Sequence, residues 1–107
     1  MMTVVVVVDE AEEQLREVVN WWLVNRPAAP LLPLDEFERC TTLLTSSPGI
    51  GARFRRSEVP GVRRLLMGRT KCFVYYLHDV VHDVVYVLAV WGAPKVGPPL
   101  LRDPRGG

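Results

Sequence analysis

The chain has 107 residues and a net charge of +1, room for one domain and too little for two. Hydrophobic residues make up 49% and charged residues 23%, which excludes a mainly disordered chain. Two cysteines, Cys40 and Cys72, without CxxC or a zinc-type His/Cys spacing, exclude a disulfide-stapled secreted scaffold and leave a reducing cytoplasm as the expected location.

Thr3 to Val8 is a run of β-branched residues and reads as a strand. Both its faces are apolar, so it is expected either covered on both sides or packed under helices at the chain end. The run is far too short to cross a bilayer, and Asp9 and Glu10 interrupt it before an export signal could form. Asp9 and Glu12 have the spacing of a capping box, and Glu10, Glu12 and Glu13 suit the positive end of a helix dipole. Ala11, Leu15, Val18, Val19 and Trp22 then recur at spacings of three and four. They predict an amphipathic helix over 10–25, stopped by Arg26-Pro27.

Pro27, Pro30 and Pro33 oppose a regular helix, so a second helix is expected to begin near Pro33, where proline is tolerated in the first turn. Leu34, Phe37, Thr41 and Leu44 give it an inner face, and Ser46-Ser47-Pro48-Gly49 ends it. Four strand candidates follow. Ala52 to Arg56 is weakly patterned, and Val62 to Met67 comes after a Pro60-Gly61 turn. Lys71 to His78 and Val84 to Trp91 are rich in Val, Tyr and Phe and are joined by a short hairpin link. From Gly92 onward the prolines and glycines predict irregular chain. The order gives an α+β domain over 1–100, followed by a flexible tail over 101–107: an N-terminal strand, a two-helix antiparallel hairpin, then a three- to four-stranded, mostly antiparallel sheet.

Charge divides unevenly. Residues 1–48 carry a net −5 and residues 49–107 a net +6. Arg53, Arg55, Arg56, Arg63, Arg64, Arg69 and Lys71 fall within nineteen positions. Such a run marks either a surface for phosphate or an acidic partner, or a set of strands paired with acidic helices.

Several segments resemble the RelE/ParE superfamily of toxins from bacterial type II toxin–antitoxin modules. They are Asp9-Glu10-Ala11-Glu12-Glu13, Asn25-Arg26-Pro27-Ala28-Ala29, and Leu43-Leu44 with Ser47-Pro48-Gly49-Ile50-Gly51. Val62-Arg63-Arg64-Leu65-Leu66, Phe73-Val74-Tyr75-Tyr76 and Val87-Leu88-Ala89-Val90-Trp91-Gly92-Ala93-Pro94 complete the set. The resemblance spans residues 4 to about 100 and implies one toxin domain whose fold agrees with the periodicity. It implies a cognate antitoxin partner and growth inhibition, as in plasmid stabilisation modules, with one of two targets. A ParE-like protein binds DNA gyrase; a RelE-like protein cuts messenger RNA on the ribosome.

Messenger cleavage needs a phosphate charge offset and proton transfer. Arg63, Arg64 and Lys71 are the candidates if the chain is a nuclease. The segment from Gly92 to Gly107 holds no Tyr or His, and the net charge is low for a protein that must enter ribosomal RNA. Both features favour the gyrase-binding branch, and an enzyme is not the expected reading. Pro30 and Pro33 interrupt a stretch that is helical in many relatives, which leaves a non-toxic interaction homologue as a third reading.

The residues expected to meet target or antitoxin are Arg53, Arg55, Arg56, Arg63, Arg64, Tyr75, Trp91 and Lys95. Arg63 and Arg64 are neighbours on a strand, so only one can line a given pocket. Tyr75 and Tyr76 suit packing better than base stacking, and Trp21 sits at the margin of its helix stripe. His78-Asp79 and His82-Asp83 are ligand types but read as a solvated hairpin tip. Cys40 and Cys72 read as buried thiols. No cofactor motif and no metal site is present in the sequence.

Overall fold

The computed structural model describes residues 3–92 and 97–106. Five strands, β1 (Val4–Val7), β2 (Ala52–Arg53), β3 (Arg63–Met67), β4 (Cys72–Asp79) and β5 (Val84–Gly92), form one sheet in the order β1-β5-β4-β3-β2. β1 runs parallel to β5, and the other pairs are antiparallel. Two helices, α1 (Asp9–Asn25) and α2 (Leu32–Ser46), lie between β1 and β2 in the chain and cover one face.

The expected elements are present, with local corrections. Helix α1 starts at Asp9 itself. Val8 is the cap residue, and no side chain caps the end, so the Asp9–Glu12 capping box does not form. The acids of the first turn act through the helix dipole, and Glu12 also pairs with Arg16 at 3.5 Å and Glu10 with Arg102 at 3.8 Å. Helix α2 carries Pro33 in its first turn, and its buried stripe is Pro33, Phe37, Cys40 and Leu44. Leu34, expected inside, is turned about 100° from Pro33 and is exposed. Strand β2 is only two residues long. From Arg55 the chain turns instead of continuing to Arg56, and Lys71 sits in the turn before β4 with φ 61°.

The helix-side core joins Ala11 and Leu15 of α1, Cys40 and Leu44 of α2, and Val74, Tyr76, Val85 and Val87 of the sheet. Strand β1 sits at the sheet edge. Its inner residues Val5 and Val7 pack on this core, whereas Val4 and Val6 remain 58% and 40% exposed. A second cluster occupies the other face. Phe54, Val59 and Val62 of the β2–β3 loop fold over Tyr75, Leu77, Leu88 and Ala89, and Leu101 packs on the same cluster. A register shift between Tyr75 and Tyr76 makes this possible. Tyr75 faces Ala89 and Tyr76 faces Val87, so the extra residue Leu88 joins Ala89 on the second face.

At the β4–β5 turn, Asp83 takes φ 52°, accepts from the Thr3 hydroxyl at 2.8 Å and meets His78 Nε2 at 2.9 Å. His82 Nδ1 meets Asp79 at 3.0 Å. These are two separate pairs, and through Thr3 the Asp83 pair ties the start of the first strand to the hairpin. Among the described residues no three His, Cys, Asp or Glu side chains are grouped to hold a metal, and no helix is long and apolar enough to cross a membrane.

Candidate functional site

Gly51 is the pivot between α2 and the sheet edge. Its N–H donates to the Tyr76 hydroxyl at 2.8 Å, and its carbonyl accepts from Arg63 Nη1 at 2.8 Å. A Cβ at this position would lie 2.7 Å from Tyr76 Oη and 2.8 Å from the Arg64 carbonyl oxygen, so only glycine fits. Tyr76 is fully buried. Burial pushes its hydroxyl pKa up, outweighing the Gly51 N–H and the Arg63 charge, which both pull it down. It therefore stays a neutral phenol at physiological pH and serves as a fixed acceptor. The effect is to hold the Arg63 guanidinium in one place.

Arg53 and Arg63 are directly opposite across β2 and β3. The next pair along is bonded through Phe54 N–H to the Val62 carbonyl at 2.8 Å. By the antiparallel alternation, Arg53–Arg63 is then a non-hydrogen-bonded pair, the kind that brings side chains closest. Like charges facing each other there are destabilising. Among the described residues neither guanidinium has a carboxylate within ion-pair distance, nor do Arg55 and Arg56. A groove of about 410 Å³ opens beside this pair. Arg53, Arg55, Arg63 and Ser57 supply its polar lining; Pro60 adds apolar surface, while Phe54, Val59 and Val62 only edge the groove, their side chains being packed in the second-face cluster. Gly61 turns the loop at φ 84°.

The other expected site residues separate from this groove. Arg64 points to the opposite face. Its guanidinium lies 4.3 Å from the Phe73 ring centre and 5.4 Å from that of Phe54, and its Nη1 donates to the Tyr75 hydroxyl at 3.4 Å. That is a packed cation–π arrangement. Tyr75 is buried beneath it, edge-to-face with Phe54 at 4.9 Å. Trp91 stands opposite Phe73, half-buried, and its indole N–H donates to the Gly97 carbonyl at 3.0 Å. Arg56 is exposed in the turn after β2, next to the groove but outside its lining. Lys71 is at the far end of β3, roughly 13 Å along the strand from Arg63. Lys95 lies outside the described residues.

So Arg53, Arg55 and Arg63 come together. Arg63, Arg64 and Lys71, the three nuclease candidates, do not converge on one point. Near Lys71, acid and backbone meet instead: the Glu36 carboxylate accepts from Arg69 N–H at 3.1 Å and Thr70 N–H at 2.7 Å. Burial raises the Glu36 pKa, but those N–H groups outweigh it and hold the carboxyl below its ordinary value. The Cys40 thiol is pushed up to about 11, by burial first and then by the Glu36 charge, so it carries no thiolate at neutral pH.

Sequence reasoning missed Gly51, Tyr76 and Ser57 as parts of the site. Gly51 stood out only as part of a recurrent segment after α2. Its contact with Tyr76 links positions 25 residues apart, and local spacing carries no signal for that.

No family model matches the sequence, and no curated protein matches it. A solved structure described as the chromosomal ParDE TA system from P. aeruginosa does match. One of its chains superposes with a TM-score of 0.68 at 22% identity, covering 85% of this chain and 96% of that one. The strand, helix pair and five-stranded mixed sheet described above are thus the fold of a chain from a ParDE toxin–antitoxin structure.

Proposed function

We propose that this protein is the toxin component of a type II toxin–antitoxin pair, of ParE type, acting in the cytoplasm. It inhibits growth by binding DNA gyrase and is neutralised by a cognate antitoxin. The shared fold with a ParDE chain carries this reading. The arginine groove supports it, because its three guanidiniums have no carboxylate partner among the described residues and are open to an external acid. Arg53, Arg55, Arg56 and Arg63 form the basic part of the contact surface. Arg64 and Trp91 form a separate part on the other face, whereas Tyr75, expected to meet a partner, is buried beneath Arg64 and serves as packing.

Ribosome-dependent messenger cleavage is the weaker reading. It asks for phosphate neutralisation and proton transfer at one point, whereas Arg63 and Arg64 diverge and Lys71 stands at the opposite strand end. Purified protein should inhibit supercoiling by reconstituted gyrase, and antitoxin in stoichiometric amount should restore it. Unchanged supercoiling at large molar excess, together with cleaved messages after induced expression, would transfer the assignment to the nuclease branch. Induction without growth arrest in a host carrying the matching target would favour a non-toxic interaction homologue.

A further inference from the structure

We infer that residues 97–106 form a strap over the second face, latched by Arg105 on Asp79 and loosened when His82 takes up a proton. The device is separate from the arginine groove and does not depend on the toxin reading.

The segment is laid along the sheet and fastened at intervals. The Gly97 carbonyl accepts from the Trp91 indole N–H at 3.0 Å, at the end of β5. Pro99 is buried, Leu101 and Asp103 are half-buried, and Leu100 and Arg102 point outward, the period of two of an extended chain resting on a surface. Leu101 packs on the second-face cluster, and Arg102 reaches Glu10 at 3.8 Å. The last fastening is Arg105, whose Nη1 lies 3.9 Å from Asp79 Oδ2 at the end of β4. Lifting the segment bares the part of the cluster that Leu101 covers.

One carboxylate oxygen serves two cationic groups at that last point. His82 Nδ1 approaches the same Asp79 Oδ2 at 3.0 Å, and the His82 backbone N–H donates to Oδ1 at 3.2 Å. These bonds, the backbone one first, hold the Asp79 carboxyl below its ordinary value, and Arg105 holds Asp103 at about 2. Both acids therefore stay ionised near neutrality. An ionised carboxylate only accepts, so Nδ1 carries the hydrogen and Nε2 is left to take up a proton. The ring is 74% exposed on its side chain, and imidazole is the group that ordinarily changes charge between about pH 5 and 8. Protonation breaks no bond. It neutralises the acid on which Arg105 rests and sets a like charge beside the guanidinium. Asp103 does not reverse the sign, because it travels with the strap and is already engaged by the Arg105 backbone N–H, Nε and Nη2. Tyr86 also acts on Arg105, and stays neutral across this range. His78 and the amino-terminal charge act on Asp83 instead. Two like charges around one carboxylate, with water on one side, change an equilibrium by about threefold.

The test is limited trypsin cleavage of the full chain after Arg102, read by mass as release of the piece that begins at Asp103. Each rate is divided by that of a free peptide of residues 97–107 in the same buffer, which removes the pH dependence of the protease. Cutting there needs the segment lifted from the sheet, so the ratio follows the open population. It should rise about threefold from pH 8 to pH 6. His82→Asn keeps a neutral donor in place of Nδ1 and should stay at the slow ratio at both pH values. His82→Lys should show the fast ratio at both. Arg105→Gln should be cut faster than the parent at pH 8, with no further rise at pH 6. His78→Gln should keep the full rise. Cleavage at Arg39 in α2 should match the parent in every variant, which tells a lifted strap from an unfolded chain.

A flat ratio in the parent, or a rise that persists in His82→Asn, would overturn the inference. A rise lost in His78→Gln would move the switch to the Asp83 pair. Slower cutting at pH 6 would mean that the imidazolium tightens the strap, the reverse of the inferred sign. Unchanged cutting of Arg105→Gln at pH 8 would show that Asp79 is no latch.

Discussion

Helices cover one face of the sheet, and irregular chain covers the other. On the helix side, α1 and α2 bring Ala11, Leu15, Cys40 and Leu44 onto Val74, Val85 and Val87 as regular stripes. On the other side, a loop delivers Phe54, Val59 and Val62, and the chain end delivers Leu101, half-buried. Both faces exclude water, but the first does so through elements that are themselves cooperative. The second depends on segments that have little structure apart from the sheet beneath them. Stability and recognition are divided between the two faces. The helix side holds the fold together, and the loop that closes the second face is also the wall of the arginine groove.

The largest test of this division is Leu44→Ala. Leu44 is fully buried at the centre of the helix-side core, and truncation there should cost about 2–5 kcal/mol in denaturant unfolding. A cost below that of any second-face truncation would reverse the ranking of the two faces.

Gly51→Ala comes next, because it strikes the joint between the faces. The added methyl meets the Tyr76 hydroxyl and a backbone oxygen, and the backbone cannot step aside cheaply. A loss of about 1–3 kcal/mol is expected from this overpacking. Tyr76→Phe in the same background should recover part of it by removing the nearer atom. Full additivity of the two changes would show that Gly51 and Tyr76 do not share the contact.

The helix-side elements were readable because burial there follows a period. Spacings of three and four from Ala11 to Trp22, and β-branched runs at both ends of the chain, pointed to α1, β1 and β5. The α2 stripe was off by one residue at Leu34 and Thr41, since Pro33 and Cys40 take the inner positions and neither is a strong hydrophobic marker. The site was harder to read. Strand alternation already separated Arg63 from Arg64 in the sequence, but seven cations in nineteen positions carried no sign that the length of β3 removes Lys71. Glu36 was just another helix acid until the fold placed the β3–β4 turn at its carboxylate. The second face was nearly illegible, because a loop that packs through Phe54, Val59 and Val62 has no period to recognise.

Glu36→Gln tests whether the far end of β3 is held by the acid. In the folded state its carboxyl sits below the ordinary value of 4.5. The stabilisation it gives is therefore complete above that pH and drains away as pH falls through the lower, folded value. The variant should lose roughly 0.5–1 kcal/mol at neutral pH, after discounting for solvent around this part-exposed group. Its stability should fall less steeply with acid than that of the parent. An acid limb of the same slope would mean that other carboxylates control it.

The smallest expected effect is at the chain end. Leu101 packs on the second cluster, and beside it Arg105 pairs with Asp103 at 2.9 Å and reaches Asp79 at 3.9 Å. Leu101→Ala removes part-exposed methyl groups from a contact made by irregular chain, so a loss below about 1 kcal/mol is expected. Its effect should be local: faster amide exchange around Leu77 and Leu88, with exchange at Val85 and Val87 unchanged. If the helix-side amides exchanged faster as well, the two faces would open together, and the second face would belong to the same cooperative unit as the first.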